Sequence, residues 1–124
     1  MVNDKLQLRM SASDYRKKVI SKIKEAPRQK QILEYLATRQ GKFWRNNTGA
    51  AVYESKGKKR FVRFGVKGQG DITGILKGRR IEIETKTDTG ILSTDQKLFR
   101  DMIIAEGGVY VVARRLADVV NAGL

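Results

Sequence analysis

The segment Ile81-Glu82-Ile83-Glu84-Thr85-Lys86-Thr87 constrains this chain more than any other, because apolar and charged residues alternate along it with the period of a strand. Successive strand side chains point to opposite faces, so Glu82, Glu84 and Lys86 share one face while Ile81 and Ile83 occupy the other. Upstream, Gly70-Asp71-Ile72-Thr73-Gly74-Ile75-Leu76 reads as a second strand, and Lys77-Gly78 has the composition of a two-residue hairpin turn. With Leu76 facing Arg79, the antiparallel register sets Ile72 opposite Ile83 and Asp71 opposite Glu84. Two carboxylates so placed repel each other unless a cation sits between them.

The chain's 124 residues predict a single domain, spanning 1–124, with one core that needs no covalent staples. Cysteine is absent, which excludes disulfides and thiolate zinc sites and fits a reducing cytoplasm. No apolar run approaches the ~20 residues of a membrane helix, and Met1-Val2-Asn3-Asp4-Lys5 lacks the apolar stretch of a signal peptide, so a soluble cytoplasmic protein is expected. Histidine is absent as well, removing the usual general base, the commonest neutral metal ligand and every Ser-His or Cys-His arrangement. Catalysis then falls to carboxylates, lysine and metal. The 26 Lys and Arg against 13 Asp and Glu, a formal charge of +13, make a polyanion the leading partner, with nucleic acid the first candidate. The basic residues are spread along the chain and do not gather on one amphipathic helix face, which argues against a membrane surface.

Ser11-Ala12-Ser13-Asp14 has capping-box spacing, and Tyr15, Val19, Ile20 and Ile23 follow at helical intervals with lysines and arginine between, predicting a basic helix over about 11–25. Pro27 reads as the first residue of a second helix, with Ile32, Leu33 and Leu36 as its buried stripe and Gly41 as its end. Short strand-like runs follow at Phe43-Trp44-Arg45, Ala51-Val52-Tyr53, Arg60 to Phe64, Asp71 to Leu76 and Arg80 to Thr85, and predict a mainly antiparallel sheet. Between them, Glu54 to Lys59 is a basic turn in which Lys56, Lys58 and Lys59 are candidate DNA contacts or simply a solvated loop. Ser93-Thr94-Asp95-Gln96 is another capping box, opening a helix with Leu98, Phe99, Met102 and Ile103 inward. Val109 to Ala113 reads as a central strand covered on both faces, and Leu116 to Leu124 as a short final helix.

Phe43-Trp44-Arg45-Asn46-Asn47-Thr48-Gly49-Ala50, Gly70-Asp71-Ile72-Thr73-Gly74-Ile75, Ile81 to Thr87, Gly90-Ile91-Leu92-Ser93-Thr94-Asp95-Gln96 and Gly107-Gly108-Val109-Tyr110-Val111-Val112 together resemble the VRR-NUC family of PD-(D/E)xK nucleases. The resemblance runs from about Glu25 to Leu116 in the same order and with similar spacing. It implies an α/β fold with a restriction-endonuclease-like core, a mixed β-sheet flanked by α-helices in the order α-α-β-β-β-α-β-α. It further implies Mg²⁺- or Mn²⁺-dependent phosphodiester cleavage. Compact, often phage-encoded members of the family look like homodimeric endonucleases that act on branched DNA such as four-way (Holliday) junctions. By that resemblance Glu25 corresponds to an acid carried ahead of the helix that leads into the Trp-Arg-Asn-Asn segment. The family often has proline before the first acid, where this chain has Gly70.

The residues supply the chemistry that such a reaction needs. Asp71 and Glu84, assisted by the Thr85 carbonyl, form an oxygen donor set for a hard divalent cation. Lys86 is placed to orient or help deprotonate a water and to offset developing negative charge. Gln96 has two readings, one as a residue that positions water or Lys86 and one as the third member of its capping box. Glu84 and Lys86 alone would pass as an ordinary same-face pair, and Glu82 is an alternative ligand. Phe43 and Trp44 read as core, whereas Arg45, Asn46 and Asn47 lie at a strand end from which polar side chains reach phosphate. A flap nuclease, an exonuclease, a duplex nickase or a non-catalytic DNA-binding module is the alternative function.

Overall fold

The hairpin forms in the register that the alternation requires. In the computed structural model, which describes residues 12–46 and 49–124, the order is α1 (Ala12–Leu36), β1 (Lys42–Arg45), β2 (Gly49–Ser55), β3 (Lys58–Phe64), β4 (Ile72–Leu76), β5 (Arg79–Thr85), α2 (Thr94–Ala105), β6 (Val109–Ala113) and α3 (Leu116–Asn121). β4 and β5 pair antiparallel with Ile72 opposite Ile83 and Leu76 opposite Arg79. Lys77 and Gly78 between them both have positive φ, 52° and 76°, the backbone twist of a two-residue turn that matches the twist of its strands.

The main sheet has the order β1-β4-β5-β6, antiparallel except for the parallel pair β5 and β6, so the protein is a mixed α/β fold. Its two faces are covered differently. Ile81, Ile83, Val111 and Ala113 pack with Ile72, with Ile32 and Leu36 of α1 and with Val119 of α3. Each isoleucine, leucine or valine side chain so removed from water contributes about 1.5–3 kcal/mol. On the other face α2 lies against β6, burying Phe99 and Ile103 and reaching Glu84 through Gln96. No helix among the described residues is long and apolar enough to cross a membrane.

Several expectations are corrected. α1 is one helix with Pro27 inside it, not two. An interior proline costs about 3 kcal/mol, and the core packing of Ile32 and Leu36 together with the bonds of Arg28 and Gln29 to β5 offsets that loss. The helix stops at Leu36, and Gly41 belongs to the entry into β1. Ser11, Asn47 and Thr48 lie outside the described residues, as do the side chains of Tyr15, Val19, Ile20 and Ile23.

β2 and β3 do not join the main sheet but pair only with each other, from Gly49 opposite Phe64 to Ser55 opposite Lys58. Residues 52–60 are all exposed, so the described side chains of this stretch of the ribbon are not buried against the core. β6 is an edge strand, not a central one, and its apolar character reflects cover above and below by α2 and by α1 with α3. Leu98 and Met102 face solvent because only the stripe through Phe99 and Ile103 meets the sheet. Trp44 is exposed, while Phe43 packs on the core with its ring over Gly74.

Candidate active site

Asp71 immediately precedes β4, Glu84 and Thr85 close β5 and Lys86 directly follows it, so the antiparallel pairing brings all four to one end of the sheet. Thr85 holds Asp71 by two bonds: its backbone N–H donates to Oδ2 at 2.9 Å and its hydroxyl donates to the same oxygen at 2.6 Å. Behind it, Gln29 of α1 donates to the Thr85 hydroxyl at 3.0 Å, and Arg28 donates to the Lys86 carbonyl at 2.7 Å. One carboxylate is therefore positioned from the α1 side of the sheet.

The other is positioned from the opposite side. Gln96 Nε2 donates to Glu84 Oε1 at 2.8 Å. The same side chain also accepts from the Ser93 backbone N–H at 2.9 Å, so the capping-box bond expected of Gln96 is made at one end of its amide, while the other end bonds Glu84 and not Lys86. The capping box fixes the side chain, and the fixed side chain orients Glu84. Lys86 Nζ lies 3.8 Å from Glu84 Oε1, with its side chain only 15% exposed.

Glu82 shares the Glu84 face but has a different task. Its oxygens accept from the Gly70 N–H at 3.1 Å and the Thr73 hydroxyl at 2.9 Å, and Arg80 Nη2 pairs with it at 2.7 Å. These bonds anchor the loop that presents Asp71 and engage both carboxylate oxygens of Glu82. They also account for Gly70. A Cβ at that position would lie 2.9 Å from both Glu82 Oε2 and the Ile83 carbonyl, and a proline there would have no N–H to give to Glu82.

Asn46 works on the same loop. Its backbone N–H donates to the Asp71 carbonyl at 2.8 Å and its side chain to the Gly70 carbonyl at 2.8 Å and to the Thr73 hydroxyl. Arg45 is exposed at the end of β1. Glu25 is buried on the α1 stripe that continues through Arg28, Gln29 and Ile32, the face that meets the end of β5. Lys56, Lys58 and Lys59 are exposed on the β2–β3 ribbon, and Asn47 is not among the described residues.

Tyr110 was read only as part of an apolar strand, yet it belongs to this site. The parallel register places it beside Glu82 on the face that carries Glu84. Its hydroxyl is buried without a hydrogen-bond partner among the described residues. Burial raises its pKa first, and the charges of Glu84, Asp71 and Glu82 raise it further, so the phenol lies in the negative potential of all three carboxylates. An orphaned donor amid such potential is what a hydrated hard cation would relieve, and an all-oxygen donor set suits Mg²⁺ or Mn²⁺. Among the described residues no group of three or more acidic, histidine or cysteine side chains is placed to hold a metal.

Gln29, Arg28, Thr73 and Tyr110 are the site residues that sequence reading missed. For Gln29 a signal existed, since it lies four residues after Glu25 and three before Ile32, a polar residue on the buried stripe of a helix. No family model, no curated protein and no solved structure matches this chain.

Proposed function

We propose that this protein is a divalent-metal-dependent deoxyribonuclease that hydrolyses phosphodiester bonds at the cluster of Asp71, Glu84 and Lys86. The observation that carries the reading is their convergence at one end of β5, with each carboxylate held in place from a different face of the sheet. The succession of helix, antiparallel strands, helix and parallel strand supports it, since that is the order of a restriction-endonuclease-like core.

Asp71 and Glu84 are the residues that would hold Mg²⁺ or Mn²⁺, which supplies phosphate charge neutralisation and an acidified water. Thr85, backed by Gln29, keeps the Asp71 carboxylate from turning away, and Gln96 does the same for Glu84. Lys86 Nζ orients the attacking water and offsets the negative charge that grows on the phosphate oxygens. The Tyr110 hydroxyl offers one further donor to an oxygen in that space.

The excess of 26 basic over 13 acidic residues supports DNA as the polyanion, and the exposed lysines of the ribbon and Arg45 provide phosphate contacts away from the cluster. Branched DNA such as a four-way junction is the proposed substrate. The test is incubation of end-labelled junction, flap and plain duplex with the protein in Mg²⁺, Mn²⁺ or chelator. The expected result is metal-dependent cutting, strongest on the junction. Laddered or flap-length products would move the reading to an exonuclease or a flap nuclease, and intact DNA under every condition would reduce the protein to a basic binder.

A further inference from the structure

Beside the cluster, on its α2 side, a cleft of about 690 Å³ runs between α2, the open edge of β6 and α3. Three cations line it, Lys97 and Arg100 from α2 and Arg114 from the end of β6. The one acid on its wall is Asp118, whose Oδ2 accepts the backbone N–H groups of Arg114 and Arg115. Its floor is apolar, formed in part by Leu92, Val111 and Val112. That composition leaves the wall with net positive charge over a surface of low dielectric, where a guanidinium or ammonium holds an anion more strongly than in open water.

The position matters as much as the charge. Val112 is the strand partner of Glu84, and Lys97 follows Gln96, the residue that orients Glu84. Arg114 follows Ala113, whose carbonyl accepts the Lys86 N–H, and its guanidinium donates to the Thr87 carbonyl. Arg100 stands one turn beyond Gln96, with its Nε held by Asp101 at 3.0 Å. The cleft thus lies beside the carboxylate cluster across the β5–β6 pair, and none of its cations lies on the ribbon or at Arg45.

We infer that the cleft lined by Lys97, Arg100 and Arg114 binds the phosphodiester backbone of the nucleic acid and carries the strand next to the bond that is cut. The placement beside the cut bond rests on the proposed nuclease reading; the binding does not. No aromatic ring lines the cleft, so the contact is to phosphate and is indifferent to base sequence.

Lys97 is exposed, and Arg100, half-buried, bonds its neighbour Asp101 on the same helix, so Lys97→Ala/Arg100→Ala is expected to fold. Its affinity for labelled duplex is measured by fluorescence anisotropy over a salt series in chelator, where nothing is cut. Loss of two phosphate contacts is expected to make the slope of log K against log salt shallower by about 1.8. A charge-matched control, Lys42→Ala/Lys77→Ala, removes two cations from the far end of the sheet and is expected to change the slope by less than half as much. Equal changes in both variants, or none in the first, would overturn the cleft. Cleavage is read separately in Mg²⁺. If the slope falls as expected but the wild-type protein cuts no DNA, the cleft stands and the nuclease reading fails; if it cuts and the slope does not move, only the cleft fails.

Discussion

Asp71→Asn and Glu84→Gln each lower metal-dependent cleavage by roughly 10²–10⁴-fold while DNA affinity in chelator is retained. Both replacements are nearly isosteric, and both leave an oxygen for the bonds now made. The amide oxygen of an asparagine at 71 can accept from the Thr85 N–H and hydroxyl, and that of a glutamine at 84 can accept from Gln96 Nε2. The fold therefore survives, and what is lost is negative charge. A neutral amide oxygen binds a hard divalent cation far less well than a carboxylate does. Removing one negative charge also brings the protein no closer to repelling DNA, so binding holds or tightens. Gel assays of cleavage beside anisotropy in chelator check both halves. Undiminished cutting by both variants would refute the assigned site.

Lys86→Met lowers kcat by a similar roughly 10²–10⁴-fold, with a much smaller change in KM. Methionine keeps most of the apolar stem that packs in this mostly buried position, while the ammonium beside Glu84 disappears. The kcat and KM split separates a role in the reaction from a role in holding DNA, since a lost phosphate contact would raise KM and spare kcat. Retention of Glu84 without its partner leaves a buried carboxylate less compensated, so divalent ion binds the variant at least as tightly as the wild type. A raised KM with unchanged kcat would move Lys86 from the chemistry to substrate binding.

Much of this site was legible in the chain because strand period and turn chemistry act locally. The alternation from Ile81 to Lys86, the Lys77-Gly78 turn and the apolar match of Ile72 with Ile83 are enough to set a register, and that register puts Asp71 and Glu84 at the same end of the sheet. The capping box at Ser93 was legible for the same reason. What was not legible depends on contacts between distant segments. Gln29 meets Thr85 only because α1 runs unbroken past Pro27, and a local rule gave the proline the wrong weight. The need for an N–H at position 70 comes from Glu82, twelve residues on across the hairpin. Tyr110 in an apolar run carries no local sign that its hydroxyl ends among carboxylates. The exposure of Leu98 and Met102 follows from which stripe of α2 meets the sheet, and no window of sequence reports that.

The most direct measurement is anomalous diffraction from crystals of the protein soaked in Mn²⁺. The account predicts one strong peak per chain at the end of β5, within about 2.0–2.3 Å of a carboxylate oxygen of Asp71 and one of Glu84, with the Lys86 ammonium turned toward it. A soaked crystal with no peak there, or with Mn²⁺ bound elsewhere while these two carboxylates keep only their bonds to Thr85 and Gln96, would contradict it.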